Sequence, residues 1–158
     1  MVKLSDLSKS EQEHMLEKIP ALPKFDIKPW VAGGPLSSRR VAIVTSAGLH
    51  LRGDRPFGHG DARNDYRVIP GDVAAGNLVM SQLSVNFDRT GFQQDLNVVF
   101  PLDRLKELAA DGTIGSVAEH HYSFMGAGSP VTRMEAKARE VGRMLRQDGV
   151  DAVVLTPV

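Results

Sequence analysis

Residues 39–45, Arg39-Arg40-Val41-Ala42-Ile43-Val44-Thr45, decide the fold. Two cations lead into a continuous, largely β-branched apolar run with no polar alternation. Such a run suits a strand buried on both faces, as in a parallel sheet covered by helices. Two further runs read as strands: Asn77-Leu78-Val79-Met80-Ser81-Gln82-Leu83 and, near the end of the chain, Asp151-Ala152-Val153-Val154-Leu155-Thr156. Helices fall between them. Pro101 opens one, with Leu102, Leu105 and Leu108 on one side and Asp111-Gly112 ending it. In the second, Ser129 is placed as the cap and Pro130 at the first position. Val131, Met134, Ala138, Val141 and Leu145 then repeat at helical spacing up to Asp148-Gly149. Strands alternating with helices imply an α/β domain, expected as a parallel, Rossmann-like three-layer sheet.

Upstream, residues 5–18 read as a short helix. Ser8 or Ser10, followed three residues on by Glu11 or Glu13, is a capping-box pattern, and Met15, Leu16 and Ile19 supply the apolar side. Pro20, Pro23, Pro29, Pro35 and Gly33-Gly34 make residues 20–38 an extended connector. The expected organisation is therefore residues 1–38 as helix and connector and 39–158 as the α/β domain. Residues 53–76, rich in Gly, Asp, Pro and Asn, read as one long loop of the kind that often carries function. The 158 residues suit a single domain with a real core, since 42% are apolar and 24% charged. Nineteen basic and nineteen acidic side chains cancel, which argues against nucleic-acid binding by bulk charge. No apolar run of about 18 residues is present to span a membrane. The polar first twenty residues do not read as a secretory signal, so a cytoplasmic location is the expectation. There is no cysteine, which excludes disulfides, thiolate nucleophiles and cysteine metal sites within these residues.

The sequence stops at Thr156-Pro157-Val158, at the carboxyl edge of a central strand, where ligands gather in open α/β sheets. The helix expected to cover the sheet next is absent, so the reading expects a sheet incomplete in its C-terminal half and a truncated chain.

Several stretches together resemble one reductase family: residues 41–50 (Val41 to His50), Asp65-Tyr66-Arg67-Val68-Ile69-Pro70, and Asn86-Phe87-Asp88-Arg89-Thr90-Gly91. The most specific is residues 95–105, Asp95 to Leu105, joined by Gly112-Thr113-Ile114-Gly115-Ser116 and His121-Tyr122-Ser123-Phe124-Met125-Gly126. The family is the selenoprotein B components of glycine, sarcosine and betaine reductases, with the related D-proline reductase selenoprotein. The resemblance covers roughly residues 36–158. It implies reductive C–N cleavage of a glycine-, betaine- or proline-type amine by a selenocysteine or cysteine, with a dithiol as electron source. It also implies a thioredoxin-like electron donor and other reductase subunits as partners. In the branch of that family this sequence most resembles, the reactive selenium or sulfur follows a segment similar to Leu155-Thr156-Pro157-Val158. The expectation is that it lies just after Val158, encoded by a UGA read as stop, so that this chain alone is inactive in reduction. Sequencing the gene past codon 158 tests this, and a UAA or UAG without a continuing frame would overturn it. The resemblance also implies a histidine near the position of Gln82.

Against that background His50 reads as a substrate contact or general acid beside the nucleophile, or as a loop histidine bonded to backbone. Asp65, Tyr66 and Arg67 suit a zwitterion, with Arg67 on a carboxylate and Asp65 on an ammonium, or else form local turns. Asp88 and Arg89 read as a structural ion pair or as groups orienting a substrate. His120-His121-Tyr122-Ser123 is placed in a turn between two helices, with His121 as a catalytic-site histidine and Tyr122 and Ser123 beside the substrate. Asp95 and Asn97 read as caps for the Pro101 helix. Gly126-Ala127-Gly128 before Ser129 reads as a weak anion cradle. No metal is expected, because His50, His59 and His121 lack ligand spacing. Two alternatives stay open: a cysteine-free metal- or His/Asp-dependent hydrolase or lyase, and a non-catalytic binding or regulatory subunit. Uncovered sheet surface predicts a homo-oligomer.

Overall fold

The computed structural model describes residues 3–24, 31–84, 87–127 and 130–158, and the chain divides into two units, residues 1–31 and 32–158. In the first unit α1 (Lys9–Lys18) starts at the expected capping box. The Ser8 hydroxyl accepts from the Glu11 amide at 3.4 Å, and the Glu11 carboxylate accepts from the Ser8 amide at 2.9 Å. The Ser8 hydroxyl and amide together hold the Glu11 carboxyl below its usual value. Met15, Leu16 and Ile19 are exposed.

The second unit is built on β1 (Arg40–Thr45), which is followed by β2 (Leu49–Leu51), β3 (Tyr66–Pro70) and β4 (Leu78–Met80). The short helix α2 (Thr90–Gln94) and α3 (Leu102–Ala110) come next, then β5 (Ser116–Val117), β6 (His120–Phe124), α4 (Val131–Gln147) and β7 (Ala152–Thr156). β1 is the middle of the main sheet. It pairs in parallel with β7 along one side, and along the other with β5 near its start and β6 near its end. β6 in turn pairs antiparallel with β3, and β2 and β4 form a separate antiparallel ribbon.

As the unbroken apolar run requires, Val41, Ala42, Ile43 and Thr45 are all buried. Alternation along the strand sends Val41 and Ile43 into a core with Ile69, Val99, Phe100, Leu102, Leu105 and Ile114. Val44 faces the other way, toward Tyr122, Phe124 and the α4 residues Met134, Val141, Met144 and Leu145. The helical spacing read from the sequence thus delivers α3 and α4 to the sheet.

The α/β class holds, and the expected parallel, Rossmann-like sheet is corrected to a mixed one, mostly parallel with an antiparallel β3–β6 pair. The second expected strand shrinks to Leu78–Met80 and leaves the main sheet to pair with β2. The long loop expected over residues 53–76 contains β3, which runs antiparallel. His120-His121-Tyr122-Ser123 is not a turn between helices but most of β6, one of the most deeply buried strands. Two of its polar side chains accept from backbone amides of other strands. The Ser123 hydroxyl accepts from the Leu49 amide at 2.8 Å, and His121 Nδ1 accepts from the Ile43 amide at 3.0 Å. The Ser129 cap and Gly128, like Asn86, lie outside the described residues; α4 is preceded by Pro130 at its N-cap.

The C-terminal end of α4 is tied to the starts of β1 and β6 by Asp148. Its carboxylate accepts from the Arg40 guanidinium, from the Glu119 amide at 3.0 Å and from the His120 amide at 3.4 Å. Burial works against the charge, but Arg40 and the two amides outweigh it and hold the carboxyl below its usual value.

Candidate functional site at the carboxyl edge of the sheet

Parallel strands that end together leave loops and unpaired backbone groups at their carboxyl edge, which is where α/β proteins place ligands. Here β1 ends in Thr45-Ser46, β6 in Phe124-Met125-Gly126, and β7 in Thr156-Pro157-Val158. Short polar side chains knit these ends together. The Thr45 and Thr156 hydroxyls both donate to the Val99 carbonyl, at 2.9 and 3.0 Å. The Ser46 hydroxyl accepts from the Val158 amide at 2.8 Å, and the Ser46 carbonyl accepts from the Gly126 amide at 3.0 Å and from Gln82 Nε2 at 3.2 Å. Gly126 has to be glycine, since a Cβ there would lie 2.9 Å from the Val158 carbonyl oxygen and 3.0 Å from the Ser46 side chain. Beside this edge an apolar cavity of about 270 Å³ is lined by Val44, Phe124, Met134, Ala138, Leu155 and Pro157 among others.

The β2–β4 ribbon brings a second polar group to the same edge. The Ser81 amide donates to the Gly48 carbonyl at 2.9 Å, just beyond the end of β1. His50, on β2, is 2% exposed. Its Nδ1 lies 2.7 Å from the Leu51 carbonyl and its Nε2 lies 2.8 Å from the Ser81 hydroxyl. Next along the chain, Gln82 is buried, its amide spent on Ser46 O and on the Ser84 amide. Arg89 is exposed and donates to the Gln82 carbonyl at 2.7 Å, which anchors a cation at this edge.

The remaining expected site residues are spread over other parts of the fold. His121 lies at the amino end of β6, with no exposure, its ring edge-on to Phe100 at 5.6 Å. Its Nε2 has no partner among the described residues, and burial first, then Lys106, pushes its pKa down to about 4. Tyr66 and Tyr122 pack edge to face at 6.1 Å under α4. The Tyr66 hydroxyl donates to Glu140 at 2.9 Å, and burial together with that carboxylate pushes its pKa up to about 12. Asp65 faces Lys137 at 3.4 Å and Arg67 at 3.9 Å. Arg67 spends its donors on the Arg55, Pro56 and Tyr66 carbonyls and stacks on Phe57 at 4.4 Å, so it staples a loop. Ser123 is fully buried against Leu49. Asp88 accepts from the Thr90 amide at 2.8 Å, which lowers its pKa, while Arg89 reaches Gln82, so the two side chains serve different backbone groups.

The structure therefore gathers His50 and Arg89, with Gln82, at the carboxyl edge. Tyr66 and Arg67 open β3, with Asp65 just before it, away from that edge. Ser46, Ser81 and Thr156 were not singled out from the sequence. The available signal for the first of these was a pair of small polar residues, Thr45-Ser46, at the end of a buried strand. Among the described residues no group of three or more His, Asp or Glu converges to hold a metal ion.

Residues 7–158 match a family model described as glycine/sarcosine/betaine reductase selenoprotein B. The D-proline reductase subunit gamma of Acetoanaerobium sticklandii is 37% identical over 123 residues, covering 77% of this chain and 49% of that protein. The sarcosine reductase complex component B subunit beta of Peptoclostridium acidaminophilum is 32% identical over 138 residues, covering 85% of this chain and 32% of that protein. The glycine reductase complex component B subunit gamma of Symbiobacterium thermophilum is 30% identical over the same length. The chain thus spans between about a third and a half of the curated relatives it matches. No solved structure gives a significant match.

Proposed function

This chain belongs to the glycine/sarcosine/betaine reductase selenoprotein B family, and on that premise we propose that residues 32–158 form the amino-terminal α/β part of a reductase subunit. Its reaction is reductive cleavage of a C–N bond in a small amine such as D-proline, glycine, sarcosine or betaine. The carrying observation is the polar carboxyl edge of β1, β6 and β7, where Ser46, Ser81 and the anchored Arg89 stand around strand ends. Arg89 suits the carboxylate these four compounds share, because a guanidinium forks onto carboxylate oxygens. The selenium or sulfur nucleophile comes from outside residues 1–158, which contain no cysteine. This agrees with the chain spanning only a third to a half of its relatives. A dithiol supplies the electrons, and the reaction runs with other reductase subunits.

The test is to complement the chain with the remaining residues of a relative that carries cysteine at the reactive position. It is then assayed for dithiol-driven C–N cleavage of the four amines. Cleavage of one of them is the expected result; none with any of the four overturns the reading. The metal-dependent hydrolase alternative finds no donor set among the described residues.

A further inference from the structure

The His50 ring is held at both nitrogens. The Leu51 carbonyl can only accept, so the nitrogen 2.7 Å from it, Nδ1, carries the hydrogen. In the neutral ring Nε2 is then a bare lone pair, and the Ser81 hydroxyl 2.8 Å away donates to it. This tautomer is assigned from the hydrogen-bond partners. His50 is 2% exposed, whereas Ser81 is only half-buried and its amide is bonded to Gly48 at the end of β1. The imidazole is thus screened from any ligand, while the serine residue in front of it is part exposed. A base oriented by a third group and hydrogen-bonded to a serine hydroxyl is the arrangement that activates serine.

We propose that Ser81 is the group that exchanges protons with the reactants at the carboxyl edge, and that His50 is the base behind it. This deepens the reductase reading and rests on it for the identity of the reactants. An acidic X–H, the substrate ammonium or the thiol or selenol nucleophile, gives its proton to Ser81 Oγ while the hydroxyl proton passes to His50 Nε2. X keeps the electron pair of the broken bond. The imidazolium that forms keeps Nδ1–H on the Leu51 carbonyl and Nε2–H on Ser81. When the C–N bond breaks, the same path runs backward and the leaving nitrogen is protonated, so no net proton is consumed by the pair. The Leu51 carbonyl stabilises the charged intermediate state of His50 as well as fixing its orientation.

The 158-residue chain tests this without any reductase substrate. Diisopropyl fluorophosphate is the probe. Ser81 Oγ attacks phosphorus, the P–F bond breaks, fluoride leaves, and the hydroxyl proton goes to Nε2. Peptide mass spectrometry is expected to find the adduct on Ser81, with Ser81→Ala unlabelled and Ser81→Thr still labelled. His50→Gln is expected to label about 100-fold more slowly, the size of a lost general base. No adduct on Ser81, or an undiminished rate in His50→Gln, overturns the proposal. Because His50 is buried and its replacement can unfold the chain, long-range ¹H–¹⁵N spectra of the unmodified protein give a second readout. Nδ1–H at neutral pH supports the pair and Nε2–H overturns it. Failure of the reductase reading shows instead as absent C–N cleavage in the complemented protein while Ser81 labelling persists.

Discussion

His121 has no solvent exposure and gives its Nδ1 lone pair to the Ile43 amide, so a proton on that nitrogen breaks a bond and leaves a charge in the core. β5 pairs with Arg40 and Val41 and β6 with Val44 and Thr45, which leaves Ile43 between the two ladders. The imidazole supplies the acceptor that a neighbouring strand would have given. Its pKa, lowered to about 4 by burial, makes this a statement about stability. The unfolded chain takes up the proton near pH 6.5 and the folded one only near pH 4. Stability is therefore complete above about 6.5 and falls as the pH drops toward 4, by about 2–3 kcal/mol from this group. Urea unfolding at pH 7 and pH 4.5 should show that loss. His121→Phe should be less stable at pH 7 by about 1–3 kcal/mol, because the Ile43 amide is orphaned, yet lose less on acidification. An equal acid loss in both proteins would refute the assignment.

Among the elements, those whose hydrophobic period is local were legible. α3 and α4 show their buried stripes every three or four residues, and β1 and β7 show unbroken apolar runs. β6 was not legible, because His-His-Tyr-Ser looks polar until Ile43 and Leu49 supply partners from elsewhere in the chain. β3 was hidden in a Gly- and Asp-rich stretch and exists by pairing with β6, and the three-residue β2 by pairing with β4. The same nonlocality hid the site: His50 was visible as a chemical group, but its serine lies on another strand end. Two side chains hold neighbouring elements in place and can be tested. Asp148→Ala removes the acceptor for Arg40 and for the Glu119 and His120 amides, and should cost about 2–3 kcal/mol in urea unfolding. A change within ±0.5 kcal/mol, as at an ordinary surface position, would remove Asp148 from the fold's supports. Arg67→Ala frees the Arg55 and Pro56 carbonyls and the Phe57 face. Trypsin should then cut after Arg52 on the order of tenfold faster, as local opening becomes easier.

For the whole molecule the question is what meets β7. Its inner side is paired with β1, and no strand lies on its outer side among the described residues. Proteins commonly protect an outer strand with lysine, proline or a bulge, yet Ala152-Val153-Val154-Leu155-Thr156 carries none of these. The register pairs Ala42 with Val153 and Val44 with Leu155, which places these two β7 side chains on the face that α4 covers over β1. They are 41% and 70% exposed, so that cover does not extend across β7. Bare edge amides and apolar side chains on one strand favour pairing with another polypeptide, such as a second copy of this chain. With no other partner present, the chain is expected to self-associate through β7 at micromolar concentration. Light scattering should report a mass above 17.2 kDa that falls toward the monomer on dilution. Leu155→Lys places a charge on a side chain that is already exposed, so it should leave the unfolding midpoint nearly unchanged and yield a monomer. If the unmodified chain is monodisperse at 17.2 kDa, or the lysine variant associates as strongly, β7 is not the surface through which it assembles.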